Sequence, residues 1–265
     1  LKNNTLHKNV LLTPSLWKES SIYNIQQFEI NDFPNHFDVI SEKLRLGMFV
    51  EQTIFQSIEQ NPNTELIAKN LQIIENGITI GEIDCLFKEN EFYTHLEIVY
   101  KFYLFDPRIN KDEINCWIGP NRKDSLIEKL DKLRDKQFPL LYHPQTKEIL
   151  NELNLNANQF TQKVCFKAQL YVPFNHFQEN YNLINPSCIV GYYYRLNELT
   201  ALKDCKFHIP NKINWLENPN TNINWLSFEA FCLQIELLLN EKRSPLCFVK
   251  DKKGNLFKIF VVWWD

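Results

Sequence analysis

The hydrophobic pattern of this chain predicts an α/β (α+β) protein with a core running α-β-β-β-α-β through a mixed sheet, followed by a smaller α+β part. Three observations carry that expectation. A helix-period stripe occupies residues 38–60, three strand-like stretches follow in succession, and a second helix-period stripe begins at Arg122.

The first helix is expected from about Asp38 to Gln60. Val39, Leu44, Leu46, Val50, Ile54, Phe55 and Ile58 roughly follow a 3.6-residue rhythm there, and Asn61-Pro62 stops it. The Leu- and Ile-rich run Glu65–Glu75 comes next. Asn76-Gly77 then marks a tight hairpin, because both residues accept the positive φ such a turn requires. The return strand is expected over Ile78–Phe87, a polar turn at Lys88-Glu89-Asn90, and a third strand over Phe92–Phe105, ended by Asp106-Pro107. Leu126, Leu130 and Leu133 stripe a helix from Arg122 to Gln137, with Pro139 just past its end. A short helix around Thr146–Leu153 and a strand over Lys163–Val172 complete the core. Beyond Pro173 the pattern predicts a Tyr-dense strand over Cys188–Leu196, short strands near Phe207 and Trp215, and a helix over Phe228–Glu241. A hairpin about Asp251-Lys-Lys-Gly254 closes the chain. The expected organisation is an N-terminal extension over 1–37, a core over 38–172, and an accessory α+β subdomain over 173–265 packed on the core.

The bulk properties exclude several function classes. At 265 residues the chain buries enough surface to fold without disulfide or metal staples. No apolar run approaches the roughly 20 residues of a membrane span, and the start at Leu1-Lys-Asn-Asn lacks a signal-peptide pattern, so a cytoplasmic protein without membrane partners is expected. Seven scattered cysteines with no C-x-x-C read as reduced core thiols. Six glycines and no Gly-rich phosphate loop argue against a nucleotide cofactor, and no haem is expected. A net charge of −3 is not that of a protein gripping duplex nucleic acid over its whole surface, and leaves room only for a local basic groove. Nothing in the pattern sets an oligomeric state.

The chemistry-bearing residues lie on the second and third strands. Asp84 and Glu97 are single acids inside the apolar runs Ile83-Asp-Cys-Leu-Phe87 and Leu96-Glu-Ile-Val99, and an unpaired buried carboxylate costs several kcal/mol. On antiparallel neighbours they can converge. Carboxylates on rigid strands suit a hard cation, Mg²⁺ or Mn²⁺ as one or two ions, with the Ile98 carbonyl as a further oxygen ligand. Lys101 shares the face of Glu97 and Val99 and is placed to orient an attacking water and offset charge on a phosphate. Glu51, on the first helix, is either a third ligand, direct or through water, or a solvated helix residue. The competing reading pairs the acids with arginine or backbone, or turns them to solvent.

These residues carry a resemblance. Leu46-Gly-Met-Phe-Val-Glu51, Gly81-Glu-Ile-Asp84, His95-Leu-Glu-Ile-Val-Tyr-Lys-Phe-Tyr-Leu104 and Trp117-Ile-Gly-Pro120 resemble the bacterial family catalogued as domain of unknown function 1853, which is grouped by similarity with the PD-(D/E)XK nucleases. The likeness spans about Leu44–Leu140 and continues more weakly to Trp215-Leu216. It implies a restriction-endonuclease-like core, with Glu51, Asp84 and Glu97 at the site and Lys101 as the catalytic cation. The superfamily usually places its lysine two residues after the glutamate, where this chain has Val99. Lys101 lies about 6.6 Å further along the strand, a gap that looks like a feature of this family. Gln137 stands where superfamily members often place a polar residue flanking the site; the competing reading is a surface glutamine at a helix end.

Weaker candidates remain. Arg122 and Lys123 are expected at a helix N-terminus, where free N–H groups favour phosphate, against the reading of a solvated charged face. His95 shares the face of Glu97 and is read as a hydrogen-bonded structural histidine, with metal assistance as the alternative. Tyr192-Tyr-Tyr194 and Trp263-Trp264 offer rings for base stacking or for the core. The sequence therefore predicts a metal-dependent nuclease acting on DNA or RNA. The alternatives are an inactive nuclease-fold module that binds nucleic acid or protein, and a structural protein whose acids are salt-bridged.

Overall fold

In chain order the elements are α1 (Lys2–Leu12), β1 (Gln26–Gln27), α2 (Leu46–Glu59), β2 (Thr64–Glu75), β3 (Ile78–Glu89), β4 (Phe92–Phe105), β5 (Trp117–Ile118), α3 (Leu126–Lys132), α4 (Pro144–Glu152), β6 (Phe160–Pro173), β7 (Ile189–Arg195), β8 (Lys206–His208), α5 (Phe228–Asn240), β9 (Leu246–Lys250) and β10 (Leu256–Val262). The computed structural model describes residues 2–17, 22–30, 33–34, 36–41, 43–109, 111–175 and 181–265. The protein is mixed α/β and combines parallel and antiparallel strand pairs. Its chain folds as two compact units, 1–100 with 128–167, and 101–127 with 168–265, a division that cuts β4 after Tyr100 and β6 after Lys167.

In the first unit the strand order is β2-β3-β4-β6, with β1 parallel to β6. The β2–β3 hairpin turns on Asn76 (φ 50) and Gly77 (φ 77), the two positive-φ positions predicted for Asn-Gly. β3 runs two residues further than expected before the next turn. β3 stays paired through Glu89↔Phe92, and Asn90 takes the left-handed conformation (φ 53). A core of Ile73, Ile83, Leu86, Leu140, Leu141, Leu150, Ala157 and Phe160 packs within this unit. Gly81 leaves room for Leu140, whose Cδ1 lies 2.5 Å from where a Cβ would stand.

The first helix is shorter than predicted. α2 begins at Leu46, and Arg45 is extended (φ −63, ψ 146). Residues upstream run alongside the helix instead, because the Gln56 side chain holds the Asp38 backbone at both ends: Asp38 N–H donates to Gln56 Oε1 (2.9 Å) and Gln56 Nε2 donates to the Asp38 carbonyl (3.3 Å). Val39, expected in the apolar stripe, is accordingly exposed; Glu42, in the same expected helix, lies outside the described residues. α1 was not anticipated. It is tied to α2 by a hydrogen bond between His7 Nδ1 and Thr53 Oγ1 (2.8 Å), with the His7 ring stacked on Phe37 (4.4 Å) and Phe49 (4.8 Å).

The second predicted helix also changes at both ends. Arg122 sits at φ 55 in a turn closed by Gly119 N–H to the Asp124 carbonyl (2.7 Å), a conformation that cannot start a right-handed helix, so α3 begins at Leu126. After Lys132 the helix widens into a π turn over Leu133–Gln137 and then tightens into a 3₁₀ segment over Phe138–Tyr142 that carries Pro139 in its first turn.

In the second unit the order is β6-β7-β10-β9-β8, with β5 on β4. β6 and β10 both run parallel to β7, while β10–β9 and β8–β9 are antiparallel. Gly254 (φ 87) supplies the β9–β10 turn. Residues around Trp215 form a 3₁₀ turn, Lys212–Leu216, where a strand was expected. The core is Tyr194, Leu199, Phe207, Phe231, Ile235, Cys247, Val249, Ile259 and Val261 among others, so α5 packs through Phe231 and Ile235. Of the expected stacking residues, Tyr193, Tyr194 and Trp264 are buried, while Tyr192 is largely exposed. None of the seven cysteines forms a disulfide; five are buried and two half-buried. Among the described residues no helix is long and apolar enough to cross a membrane.

Because His7 and Thr53 are both fully buried, deleting the hydroxyl strands a ring nitrogen. Thr53→Val is expected to cost about 1–3 kcal/mol in urea unfolding, and Thr53→Ser much less.

Candidate active site: a carboxylate cluster where two strands part

The β3–β4 register runs from Glu89↔Phe92 to Cys85↔Leu96 and stops there, one step short of Asp84 and Glu97. There the Ile98 N–H donates to Asp84 Oδ2 (2.7 Å). On the other flank Asp84 lies between the pairs Lys69↔Cys85 and Leu71↔Ile83, opposite Asn70, whose φ of 51 interrupts the extended backbone of β2. Asp84 thus sits at a local break in both ladders, and its carboxylate takes over a backbone donor that a regular strand pair would have used.

Glu97 is fully buried and held from two sides. Its Oε1 is 3.0 Å from His95 Nε2, and its Oε2 accepts a hydrogen bond from Gln137 Nε2. Gln137 Oε1 in turn accepts from Lys129 Nζ (2.7 Å). His95 is positioned by an edge-to-face contact with Phe138 (5.6 Å) and by Gln162 Nε2, 3.0 Å from His95 Nδ1; the same amide nitrogen donates to the Phe138 carbonyl (2.7 Å). Burial keeps His95 neutral, its pKa lowered to about 4. It is therefore a hydrogen-bonded partner of Glu97.

Glu51 on α2 and Asp84 are half-buried and electrostatically joined to Glu97. Burial, followed by repulsion from Asp84, Glu82 and Glu97, raises the Glu51 pKa to about 7. Burial and the Glu97 charge raise Asp84 to about 7, against the opposing pull of the Ile98 N–H and Lys129. Glu97 rises to about 8, chiefly through burial, with Lys129 and Lys132 pulling the other way. Three acids thus hold protons near neutral pH. Lys129 is a cation whose charge opposes the shift at all three.

The remaining predicted residues fall as follows. Lys101 Nζ is bound to Asp124 Oδ2 (2.6 Å) within the second unit. Arg122 is not in the first turn of a helix, because its left-handed backbone precedes α3; its guanidinium contacts Asp106 Oδ2 (3.2 Å) and stacks over Trp264 (4.7 Å). Lys123 is exposed in the same turn, also ahead of the helix. Gln137, weighed in sequence as a surface glutamine, is half-buried and bonded to Glu97. Lys129 was missed as a site residue, since in sequence it is one of six cations in a mixed-charge helix. Its spacing from Gln137 becomes meaningful only with the π turn.

The donor chemistry of Glu51, Asp84 and Glu97 fits a hard divalent cation: three carboxylates from separate elements raise one another's proton affinity, and a metal charge would relieve the same repulsion. In the arrangement described, the carboxylates are engaged with protein donors. Among the described residues no group of three His, Cys, Asp or Glu side chains stands in metal-holding geometry.

Fold and site together define a mixed α/β protein with a cluster of one buried and two half-buried carboxylates at a strand break. The chain belongs to the family described as Domain of unknown function (DUF1853), whose model matches residues 15–262. No curated protein and no solved structure matches it.

The raised acids fix a pH dependence. Carboxylates in the unfolded chain lose their protons near pH 4, whereas the folded protein keeps three until about pH 7–8, so their stabilising protons are lost as pH rises through the folded values. His7 and His95, lowered to about 4, work in the opposite direction at lower pH, and their effect levels off above the ordinary histidine value of 6.5. In metal-free buffer the Tm is therefore expected to fall between about pH 6.5 and 8.5, and Glu97→Gln to flatten that fall. A Tm that rises through this window contradicts the cluster's electrostatics.

Proposed function

We propose that this protein is a metal-dependent phosphodiesterase acting on DNA or RNA in the cytoplasm, with a PD-(D/E)XK-like site on a restriction-endonuclease-like core. The observation that carries this reading is the electrostatic cluster of Glu51, Asp84 and Glu97, brought together from α2, β3 and β4, with proton affinities raised chiefly by burial. Asp84 and Glu97 would hold Mg²⁺ or Mn²⁺, as one or two ions, with the Ile98 carbonyl as a further oxygen and Glu51 binding directly or through water. Such an ion supplies Lewis acidity and a water that ionises near neutral pH.

The chain's own residues prepare the site. The Ile98 N–H fixes one Asp84 oxygen and so orients the other. Gln137 and His95 fix the Glu97 carboxylate, and Gln162 and Phe138 fix His95 in turn. Neutral His95, its Nδ1 facing the Gln162 amide, can donate a hydrogen bond from Nε2 to Glu97. Within the first unit, Gln137 beside Glu97 is the candidate for contact with the polynucleotide. Lys101, the cation expected on β4, is engaged by Asp124.

A second reading has its own support. With both Glu97 oxygens taken by protein donors, the site is closed by its own hydrogen bonds, as in a nuclease-fold module that binds nucleic acid or protein without cleaving it.

Calorimetric titration of Mn²⁺ separates the two readings. The wild type is expected to bind and Asp84→Asn to lose about tenfold or more in affinity. Incubation with plasmid, single-stranded DNA and structured RNA is expected to give cleavage that Glu97→Gln lowers by about a hundredfold or more. Absence of metal binding and of cleavage by the wild type removes the hydrolytic reading.

A further inference from the structure

The acid site needs a cation, and the structure offers one from an unexpected element. Lys129 is half-buried on α3, and its ammonium is hydrogen-bonded to Gln137 Oε1 at 2.7 Å, while the amide nitrogen of Gln137 bonds Glu97. One amide thus joins the lysine to the most buried acid of the cluster.

The local helix geometry explains how the two residues meet. They are eight positions apart. In a continuous α-helix, eight residues overshoot two turns by roughly 80°, which would swing Gln137 off the face of Lys129. The π turn over Leu133–Gln137 takes up roughly one residue more per turn and absorbs that surplus. Gln137 therefore returns to the Lys129 face, and its side chain leans back toward the helix N-terminus, where Lys129 lies. π turns inside helices are frequent at functional sites, which suits this placement.

Charge points the same way. Lys129 opposes the shift at all three acids and is foremost among the opposing groups at Glu97, whereas the Lys101 ammonium is bound to Asp124 at 2.6 Å.

We infer that Lys129, carried by α3 and positioned by Gln137, is the cationic side chain of the carboxylate site, in the role that sequence spacing assigns to Lys101. This deepens the phosphodiesterase reading by naming the group that offsets anionic charge there, and it rests on that reading only for its catalytic consequence.

A double-mutant cycle decides the assignment without metal or substrate. In EDTA at pH 8.5, Lys129→Met is expected to lower the urea midpoint of the wild type by a few tenths molar or more, and to lose most of that effect in a Glu97→Gln background. The same cycle with Asp84→Asn serves if Glu97→Gln folds poorly, and Lys129→Arg should retain the coupling. Equal losses in both backgrounds, or coupling of Lys101→Met in place of Lys129→Met, overturns the inference. In the cleavage assay, Lys129→Met is expected to lower the rate at least about tenfold and Lys129→Arg to recover part of it; an undiminished rate for Lys129→Met also overturns it. If the wild type cleaves nothing, the hydrolytic reading falls while the cycle still decides which lysine serves the acids.

Discussion

Carboxylates withdrawn from water beside one another are the constraint around which the first unit is arranged. A buried acid is tolerated only when hydrogen bonds, counter-charges or protons satisfy it. Here all three are used. The Ile98 N–H and the His95 and Gln137 side chains supply hydrogen bonds, Lys129 supplies charge, and burial with mutual repulsion makes up the difference in bound protons. A site that retains protons near neutral pH for want of positive charge is one that a cation can occupy with gain, and that links the packing to the chemistry proposed.

The surrounding architecture follows from accommodating this arrangement. Asn70 kinks β2 opposite Asp84, and the Asp84 side chain replaces a ladder bond to β4. The helix that begins as α3 passes through a π turn and a 3₁₀ segment as it goes by, delivering Lys129 and Gln137 first and then the core residues Leu140 and Leu141. Gly81 matters to this fit because a Cβ there would meet Leu140. Irregular backbone and polar side chains therefore coincide at the same place. That is the usual signature of a site for which regular secondary structure has been given up.

Elements with strong periodicity and local turn chemistry were legible in the sequence: β4 over its whole length, the Asn-Gly hairpin, α5, and the β9–β10 hairpin at Gly254. Asp84 and Glu97 were legible as candidates too, because each is a lone acid inside an apolar strand run. Features decided by side-chain-to-backbone bonds were not. The start of α2 depends on Gln56 reaching Asp38, the start of α3 on Arg122 adopting positive φ, and α1 on a buried histidine meeting Thr53. Gln137 was visible only as a candidate and Lys129 not at all, since a π turn leaves no periodic mark and realigns residues that a 3.6-residue rhythm separates.

The most direct measurement on the cluster is a carboxyl titration by NMR on protein carrying ¹³C-labelled aspartate and glutamate side chains, assigned with Glu51→Gln, Asp84→Asn and Glu97→Gln. The electrostatics of the cluster predict carboxyl carbons of Glu51 and Asp84 titrating near pH 7 and that of Glu97 near pH 8, well above the ordinary carboxyl range. If all three titrate at about pH 4, the acids are neither desolvated nor gathered, and the account of the site is wrong.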